Sequence, residues 1–455
     1  MKLQSIQILR GFAALLVVIY HIRAMEALAI AHNGLTELPL LNGLITNGYA
    51  GVDLFFVISG FIMVHVTTGV RAGVKSALDF LFARVTRIYP IWWIFAAVMT
   101  AMFIVYNGLG FGAGWERVSQ GQPLTPYMIK SFLLAPQPAH PVLGVGWTLI
   151  HEMYFYLVFT LFLLVPRRFW HWGLLVWGAA IVGASFVGLT KPFAGDVSAL
   201  IFYPMTMEFI MGAAVGLAVS GGLAWRGGVV TLIGTLWLLA SLTFQGAEDD
   251  NLLMWGRVVW FGLPCTLLVY GFATLELTRR QAWLLPAAVG ALCAALISLL
   301  YNLVSDSPFD DRLGAAIMSA VIGALAMLAV LWLGWLGGQA RPDTLRALEG
   351  PLGKVHSAFA RVGDWSFSLY LCHPMVLAPV RLIFNTAEER EILPAVFRLG
   401  HPGPIDNIAL IVTSLTASLL VAWLSYRLLE RPISHGFGHL RRAVFRRRQD
   451  MAAAN

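Results

Sequence analysis

The sequence has 455 residues, of which 58% are hydrophobic and only 12% are charged, and its formal net charge is +7. Soluble domains carry about 25% charged residues. Half that fraction leaves too little polar surface for a water-exposed exterior, so the composition excludes a soluble globular protein and predicts an integral membrane protein. The positive charge comes largely from the C-terminal tail, and we therefore expect no nucleic-acid partner.

Runs of about 20 mostly apolar residues predict membrane spans. The expected fold is all-α, a polytopic membrane helical bundle with about 10–12 transmembrane helices. The domain organisation expected is a transmembrane domain at 1–430 and a basic cytoplasmic tail at 431–455. A segment at 128–135 is too short to cross and is expected at an interface. The predicted spans are 6–23, 49–67, 88–107, 147–165, 172–189, 198–219, 227–244, 256–275, 283–304, 314–337, 364–384 and 406–427.

The distribution of Lys and Arg between alternate loops predicts that both termini are cytoplasmic. The first apolar run, 6–22, contains Arg10 and has no small-residue cleavage site, so we interpret it as a span rather than a cleavable signal peptide. The three cysteines lie in apolar runs without CxxC spacing. They predict neither disulfides nor a zinc site, and we expect no metal.

Placing an ionisable side chain inside a span costs on the order of several kcal/mol of free energy. Such residues are therefore candidates for a functional role. Arg10 and His21 are eleven residues apart in the first span. That is about three helical turns, so both side chains lie on one face, roughly 16 Å apart along the axis. The alternative is that Arg10 reaches the inner headgroups and His21 marks the outer boundary of the span.

Two carboxylates are predicted near the depth of His21. Asp53 enters the second span and Glu152 lies about a turn inside the fourth. Either could orient the His21 imidazole as a catalytic partner. Asp53 as a simple helix cap is the alternative, and the aromatic residues around Glu152 are also typical of an interfacial belt.

Arg84 and Arg87 stand at the predicted inner mouth of the third span. At a spacing of i, i+3 they share a helix face and could bind phosphates bidentately, although positive residues at such a place also serve as topology signals. Further polar residues inside spans are candidates for pore or acceptor lining, or for helix packing. They are Ser59, Tyr203, Glu208, Tyr370 and His373.

Six short motifs occur in order along the whole chain, and together they resemble the acyltransferase-3 family of membrane-bound acyltransferases. Within it, the chain is most similar to bacterial exopolysaccharide O-acetyltransferases. The motifs are Arg10-x10-His21, Gly51-Val-Asp53-Leu-Phe-Phe-Val-Ile-Ser59-Gly-Phe, Arg84-x-x-Arg87-x-x-Pro90, Trp147-Thr-Leu-x-x-Glu152-x-x-Phe155-Tyr156, Ser368-Leu-Tyr370-x-x-His373-Pro374 and Glu430-Arg431-Pro432.

The resemblance implies transfer of an acyl group, usually acetyl from acetyl-CoA, to a glycan hydroxyl. It implies that His21 is the family's essential histidine and Arg10 its paired arginine. Arg84 and Arg87 match the basic pair that meets the coenzyme A phosphates, and Glu152 matches the acidic position of the fourth span. Many members have ten or eleven spans, fewer than the twelve that hydropathy predicts for this chain.

The partners expected from this resemblance are acetyl-CoA, a glycan or lipid-linked oligosaccharide acceptor, and membrane lipid. The expected location is the bacterial cytoplasmic (inner) membrane. The competing hypothesis is a transporter or flippase for an envelope glycan or acyl carrier. No repeat or inverted symmetry of the kind that transporters use is visible in the sequence, which disfavours it.

Overall fold

The computed structural model describes residues 3–36, 47–107, 113–191, 195–244, 255–278, 342–389, 399–400 and 404–445, and the single residues 321, 323 and 325. Every regular element among these residues is helical. An all-helical fold suits a membrane protein, because a helix satisfies its backbone hydrogen bonds within one segment, without water.

Fifteen α-helices follow one another along the described parts of the chain, and π-helical turns continue two of them. They are α1 (Gln4–His32), α2 (Ala50–Val66), α3 (Val74–Asn107), α4 (Ala113–Ser119), α5 (Leu124–Leu133), α6 (Trp147–Phe162), α7 (Trp170–Phe186), α8 (Val197–Ile201), α9 (Thr206–Ser220), α10 (Gly227–Phe244), α11 (Trp255–Arg257) with the π-turn Val258–Gly262, α12 (Leu263–Leu277), α13 (Pro342–Glu389), α14 (Pro404–Ser425) with the π-turn Tyr426–Glu430, and α15 (Arg431–Phe445).

Eight helices of the described residues are long and apolar enough to cross a membrane, and two shorter ones, Ala50–Val66 and Gly227–Leu242, are also apolar. These ten coincide with ten of the predicted spans. The other two predictions, 283–304 and 314–337, lie outside the described residues apart from three isolated positions. The short segment predicted at 128–135 overlaps α5, a helix of only 10 residues.

The third helix begins well before its predicted span at 88–107. α3 has 34 residues, about 51 Å at 1.5 Å per residue, against a hydrocarbon core of about 30 Å. Charged residues before position 88 set the start of the predicted span, but the helix itself begins earlier. Arg84 and Arg87 therefore lie within a continuous helix rather than in a loop before it.

Helices α1 and α13 run parallel and cross closely. A Cβ added to Gly363 would overlap the Gln7 carbonyl oxygen, and one added to Gly11 would lie 3.0 Å from the Gly363 nitrogen. Ten residues further along each helix, the rings of His21 and His373 are in contact. The close crossing therefore brings two histidines from distant parts of the sequence together.

The segment before α6 folds into the bundle instead of running over its surface. Val142, Leu143 and Val145 are buried. Gly146 lies against the Trp92 indole, and the Tyr370 hydroxyl donates to the Val145 carbonyl at 3.0 Å. Helix α6 consequently begins inside the bundle, and its first turns reach deeper than a helix starting at a membrane surface would.

Candidate functional site

An open pocket of about 710 Å³, including its mouth, lies between α1, α2, α3, α6 and α13. Polar side chains from all five helices contribute to its lining. The polar residues that line it are Arg10, Ser59, Arg87, Thr148, Glu152, Tyr156, Ser366 and Tyr370. A polar pocket within apolar helices is where a membrane protein binds a charged or hydroxylated ligand.

Glu152 is the acidic centre of this pocket. It accepts a hydrogen bond from the Ser59 hydroxyl at 3.3 Å and one from the Tyr156 hydroxyl, both on the same oxygen. Arg10 and Arg84 lie close enough to interact with it electrostatically. α6 positions Glu152 and Tyr156 one turn apart, so that both face the arginines.

The Arg84 guanidinium is held by aromatic rings. Its Cζ lies 5.3 Å from the centroid of Phe80 and 5.8 Å from that of Tyr156. These are cation–π distances. Its Nε and Nη1 atoms are buried and find no hydrogen-bond partner among the described residues. The residue thus presents N–H groups whose natural partner is an anion.

A second glutamate approaches the arginines from the end of α14. Glu430 interacts electrostatically with Arg87 and Arg10 and accepts a hydrogen bond of 2.5 Å from the Ser368 hydroxyl. It ends a π-helical turn, a local widening of the helix that is frequent at functional sites. Three arginines therefore meet two glutamates, which leaves one formal positive charge in excess.

The two histidines lie beyond Tyr370, away from the arginines. The ring centroids of His21 and His373 are 4.8 Å apart. His21 Nδ1 is 2.8 Å from the Val17 carbonyl oxygen, and His373 Nδ1 is 3.2 Å from that of Leu369. These contacts favour the tautomer in which Nδ1 carries the proton and Nε2 keeps its lone pair.

The comparisons with known proteins identify the family. A model described as "Acyltransferase domain" (Acyl_transf_3) matches residues 3–427. The chain belongs to the acyltransferase-3 family. The match covers every helix that contributes to the pocket and the two histidines.

Among curated proteins, this acyltransferase-3 chain is 34% identical to "Exopolysaccharide production protein ExoZ" of Rhizobium meliloti, over 38% of this chain and 51% of that protein. It is 27% identical to "Acyltransferase MdmB" of Streptomyces mycarofaciens, over 50% and 61%. It is 30% identical to "Nodulation protein 10" of Rhizobium leguminosarum bv. viciae, over 30% and 38%. The chain thus spans about half the length of the curated relatives it matches. No solved structure matches it significantly.

The acyltransferase-3 motif residues fall into three places. Arg10, Arg87 and Glu152 line the pocket together with Ser59 and Tyr370, and Arg84 packs beside it. His21 and His373 form the histidine pair. Asp53 lies in neither group.

The sequence predicts that Asp53 or Glu152 orients His21, but the structure places neither carboxylate in contact with that ring. In the described part of the chain no hydrogen bond joins either carboxylate to His21, whose Nδ1 contacts the Val17 carbonyl. Glu152 lies among the arginines because α6 begins inside the bundle. A backbone carbonyl on α1 itself, rather than a carboxylate, is what fixes the His21 ring.

Asp53 faces another partner. A Cβ added to Gly51 on α2 would overlap the Ala13 carbonyl oxygen on α1, two turns before His21. Asp53 therefore lies nearer the level of Arg10 than that of His21. There it accepts hydrogen bonds of 2.9, 3.1 and 2.9 Å from the Nε and Nη2 atoms of Arg257. Arg257 is not among the residues that the sequence predicts as functional, although it lies within the predicted span 256–275.

Tyr203 and Glu208, predicted as candidates for pore or acceptor lining, are buried beside the Asp53–Arg257 pair instead. Their exposed fractions are 1% and 0%. The Glu208 carboxyl lies close enough to Asp53 and Arg257 to interact electrostatically with both. The neighbouring His151 ring lies 4.8 Å from that of Tyr203. This cluster is a closed polar core. It is separate from the pocket that Arg10 and Arg87 line, which we call the arginine pocket.

Two residues of the site carry a sequence signal that did not predict their role. Glu430 belongs to one of the six motifs, and a carboxylate at the end of an apolar run is itself unusual. Tyr156 fits an interfacial belt by its sequence, and only its contacts with Glu152 and Arg84 distinguish it. Among the described residues no group of three or more His, Cys, Asp or Glu side chains could hold a metal ion.

Proposed function

We propose that this chain transfers an acyl group, acetyl from acetyl-CoA, to a hydroxyl of an exopolysaccharide or other cell-surface glycan in the bacterial inner membrane. One observation carries the proposal: α1 and α13 both line the arginine pocket, and the same two helices carry the histidine pair. A site for a polyanionic donor and a base for a hydroxyl group are the two requirements of this reaction.

The arginine pocket fits the phosphates of coenzyme A. Arg10 and Arg87 line it, and beside it the Nε and Nη1 atoms of Arg84 have no hydrogen-bond partner among the described residues. A buried donor left unsatisfied costs about 1–3 kcal/mol. Phosphate oxygens would satisfy them. Arg84, Arg10 and Arg87 together provide planar guanidinium groups, which bind phosphate through bidentate contacts.

The distance between the two ends suits an extended donor. Arg10 and His21 are about 16 Å apart along α1 at 1.5 Å per residue. With its phosphates at the arginines, the donor extends its pantetheine arm along α1 toward His21. The thioester then reaches the imidazole while the nucleotide stays at the predicted cytoplasmic end.

His21 acts as the base. Its Nδ1 is held by Val17, which leaves the Nε2 lone pair for the acceptor hydroxyl. The hydroxyl oxygen attacks the carbonyl carbon of the thioester, the C–S bond breaks, and the proton taken by His21 passes to the leaving thiolate. A transient acetyl-histidine is the alternative route to the same products.

The acceptor class is supported by the printed name of one relative, an exopolysaccharide production protein. A glycan at the far side of the membrane, free or lipid-linked, meets the thioester at the end of α1 that carries His21. Membrane lipid surrounds the bundle as its solvent.

The test uses purified full-length protein, radiolabelled acetyl-CoA, and surface polysaccharide of the source organism from which alkali has removed the ester groups. We expect acetyl transfer by the wild type and none above background by His21→Ala. Transfer at the wild-type rate by His21→Ala would refute the assignment. A transporter or flippase, the competing hypothesis, would release no coenzyme A thiol in the absence of a gradient.

The donor site is tested separately by the KM for acetyl-CoA. We expect Arg87→Ala to raise it by about tenfold or more, because one charge-assisted phosphate contact contributes about 1.5–3 kcal/mol. Arg168→Ala is the matched control, since Arg168 lies in the turn between α6 and α7 and packs its guanidinium on Phe169. An equal KM in both variants would place the phosphates elsewhere.

A further inference from the structure

His373 is a buried histidine with an unused ring nitrogen. Its exposed fraction is 0%, and no described residue is hydrogen-bonded to its Nε2 atom. A buried polar atom without a partner costs about 1–3 kcal/mol. An apolar side chain of similar volume would fill the same space without that cost, so packing alone does not account for an imidazole at this position.

The ring that His373 touches is that of His21. Their centroids are 4.8 Å apart and the ring planes are inclined by 54°. Both Nδ1 atoms are committed to carbonyl groups of their own helices, Val17 and Leu369. The Nε2 lone pairs are therefore the available basic groups of the pair, and both rings are held in fixed orientations.

The same helix connects His373 to the donor pocket. Tyr370, one turn earlier on α13, lines that pocket. Its hydroxyl donates to Val145 at 3.0 Å and lies 2.7 Å from the Thr148 hydroxyl. These contacts fix α13 against the start of α6, so the register of His373 beside His21 is set by the pocket itself.

We propose that His373 is a positioning residue for acyl transfer, which stabilises the imidazolium that His21 becomes when it takes the hydroxyl proton. This inference rests on the function proposed above. The proton moves from the hydroxyl to His21 while the new C–O bond forms and the C–S bond breaks, and it leaves on the thiolate sulfur. Between those events, His21 is a cation in a medium of low dielectric constant.

The neutral imidazole of His373 can fill this role from its observed position. His373 adds a lone pair and a dipole next to the developing cation without a charge of its own. In the interior of the bundle such a group acts strongly because water does not screen it.

Two substitutions separate this role from a structural one. His373→Asn places an amide N–H near the position of Nδ1, where it can still donate to Leu369, but it lacks the Nε2 atom. His373→Gln places an amide oxygen near the position of Nε2. We expect the Asn variant to lower kcat by about 10²-fold, the lower end of what one preorganised electrostatic contact contributes, with an unchanged KM for acetyl-CoA. We expect the Gln variant to recover part of that loss.

His151→Asn is the matched control. His151 is 3% exposed and its Nδ1 atom is also unpaired within the described chain, but its ring packs on Tyr203 and Phe56 rather than on His21. We expect the wild-type kcat from it. The rates are measured per folded molecule, counted from the monodisperse peak in size-exclusion chromatography.

The outcomes distinguish this inference from the proposed function. If His21→Ala is inactive and His373→Asn has the wild-type kcat, His373 is structural and the inference is overturned alone. It is overturned as well if the Asn and Gln variants lose activity only in proportion to the folded fraction. If His21→Ala is active, the proposed function itself fails.

Discussion

Asp53 and Arg257 form a buried ion pair in which each side chain is almost completely enclosed, with exposed side-chain fractions of 0% and 6%. Removing one member of such a pair leaves an uncompensated charge and typically costs about 3–5 kcal/mol. We therefore expect Asp53→Asn to destabilise the protein by about that amount in thermal unfolding in detergent. The kcat per folded molecule should fall little.

Glu208→Gln is the control at the same place. Asp53 and Arg257 neutralise each other, so Glu208, the third member of the cluster, has no opposite charge left to pair with. A neutral amide of the same shape should change the stability by no more than about 1 kcal/mol. A stable Asp53→Asn variant with a strongly reduced kcat would instead restore Asp53 to a role in the chemistry.

The sequence singles out candidate residues, but it does not show which of them are in contact. The motifs name Arg10, His21 and Glu152 as important, because ionisable groups in apolar runs are costly. They do not reveal that Asp53 meets Arg257, 204 positions away. Such pairing depends on which helices become neighbours and at what register, and neither is encoded in the hydropathy of a single span.

At the scale of helices, the crossing of α1 and α13 is the contact on which the site depends most. We expect Gly363→Ala to destabilise the protein by about 1–3 kcal/mol, as overpacking does, because the added methyl overlaps the Gln7 carbonyl. Since the crossing positions both Arg10 and His373, acetyl transfer should fall with it. Thermal unfolding and the transfer assay measure the two effects.

Gly183→Ala is the matched control for that prediction. Gly183 lies inside α7, and a Cβ added there meets no atom of the described chain within 4 Å. Alanine has the higher helix propensity, so this variant should be as stable as the wild type or more so. If both glycine variants behave alike, the close approach of α1 and α13 is not important for stability.

The last helix shows how an element beyond the predicted spans joins the bundle. Arg441 on α15 donates to both carboxylate oxygens of Asp79 on α3, at 2.6 and 2.8 Å, and Phe445 packs near Phe82. The ion pair is partly exposed and is expected to contribute no more than about 1 kcal/mol. It nevertheless joins α15 to the helix that carries Arg84 and Arg87.

We expect Arg441→Ala to leave the unfolding temperature nearly unchanged and to accelerate hydrogen exchange in α15. Arg442→Ala is the control, because the Arg442 guanidinium bonds to His439 on its own helix. Equal exchange in the two variants would show that the Asp79 pair does not hold α15 on α3.

For the whole molecule, ten helices were predictable because lipid imposes a length and an apolar composition on each span. Two features were not predictable from composition. The segment before α6 enters the bundle through side-chain contacts with Trp92 and Tyr370, and α3 begins at Val74, well before its predicted span. The first of these places Glu152 beside Arg10, whereas hydropathy alone predicts it near His21.

The orientation of the bundle decides whether the proposed reaction is feasible, because acetyl-CoA is cytoplasmic and the glycan acceptor is outside. Arg168 and Lys191 lie on either side of α7, and the bias of Lys and Arg predicts Arg168 inside and Lys191 outside.

In a variant with the native cysteines replaced by alanine, we expect Lys191→Cys to react with a membrane-impermeant maleimide in intact cells. Arg168→Cys should react only after lysis. The reverse pattern would turn the arginine pocket toward the outer side, where it could not receive the donor, and would refute the proposed acetyl transfer from cytoplasmic acetyl-CoA.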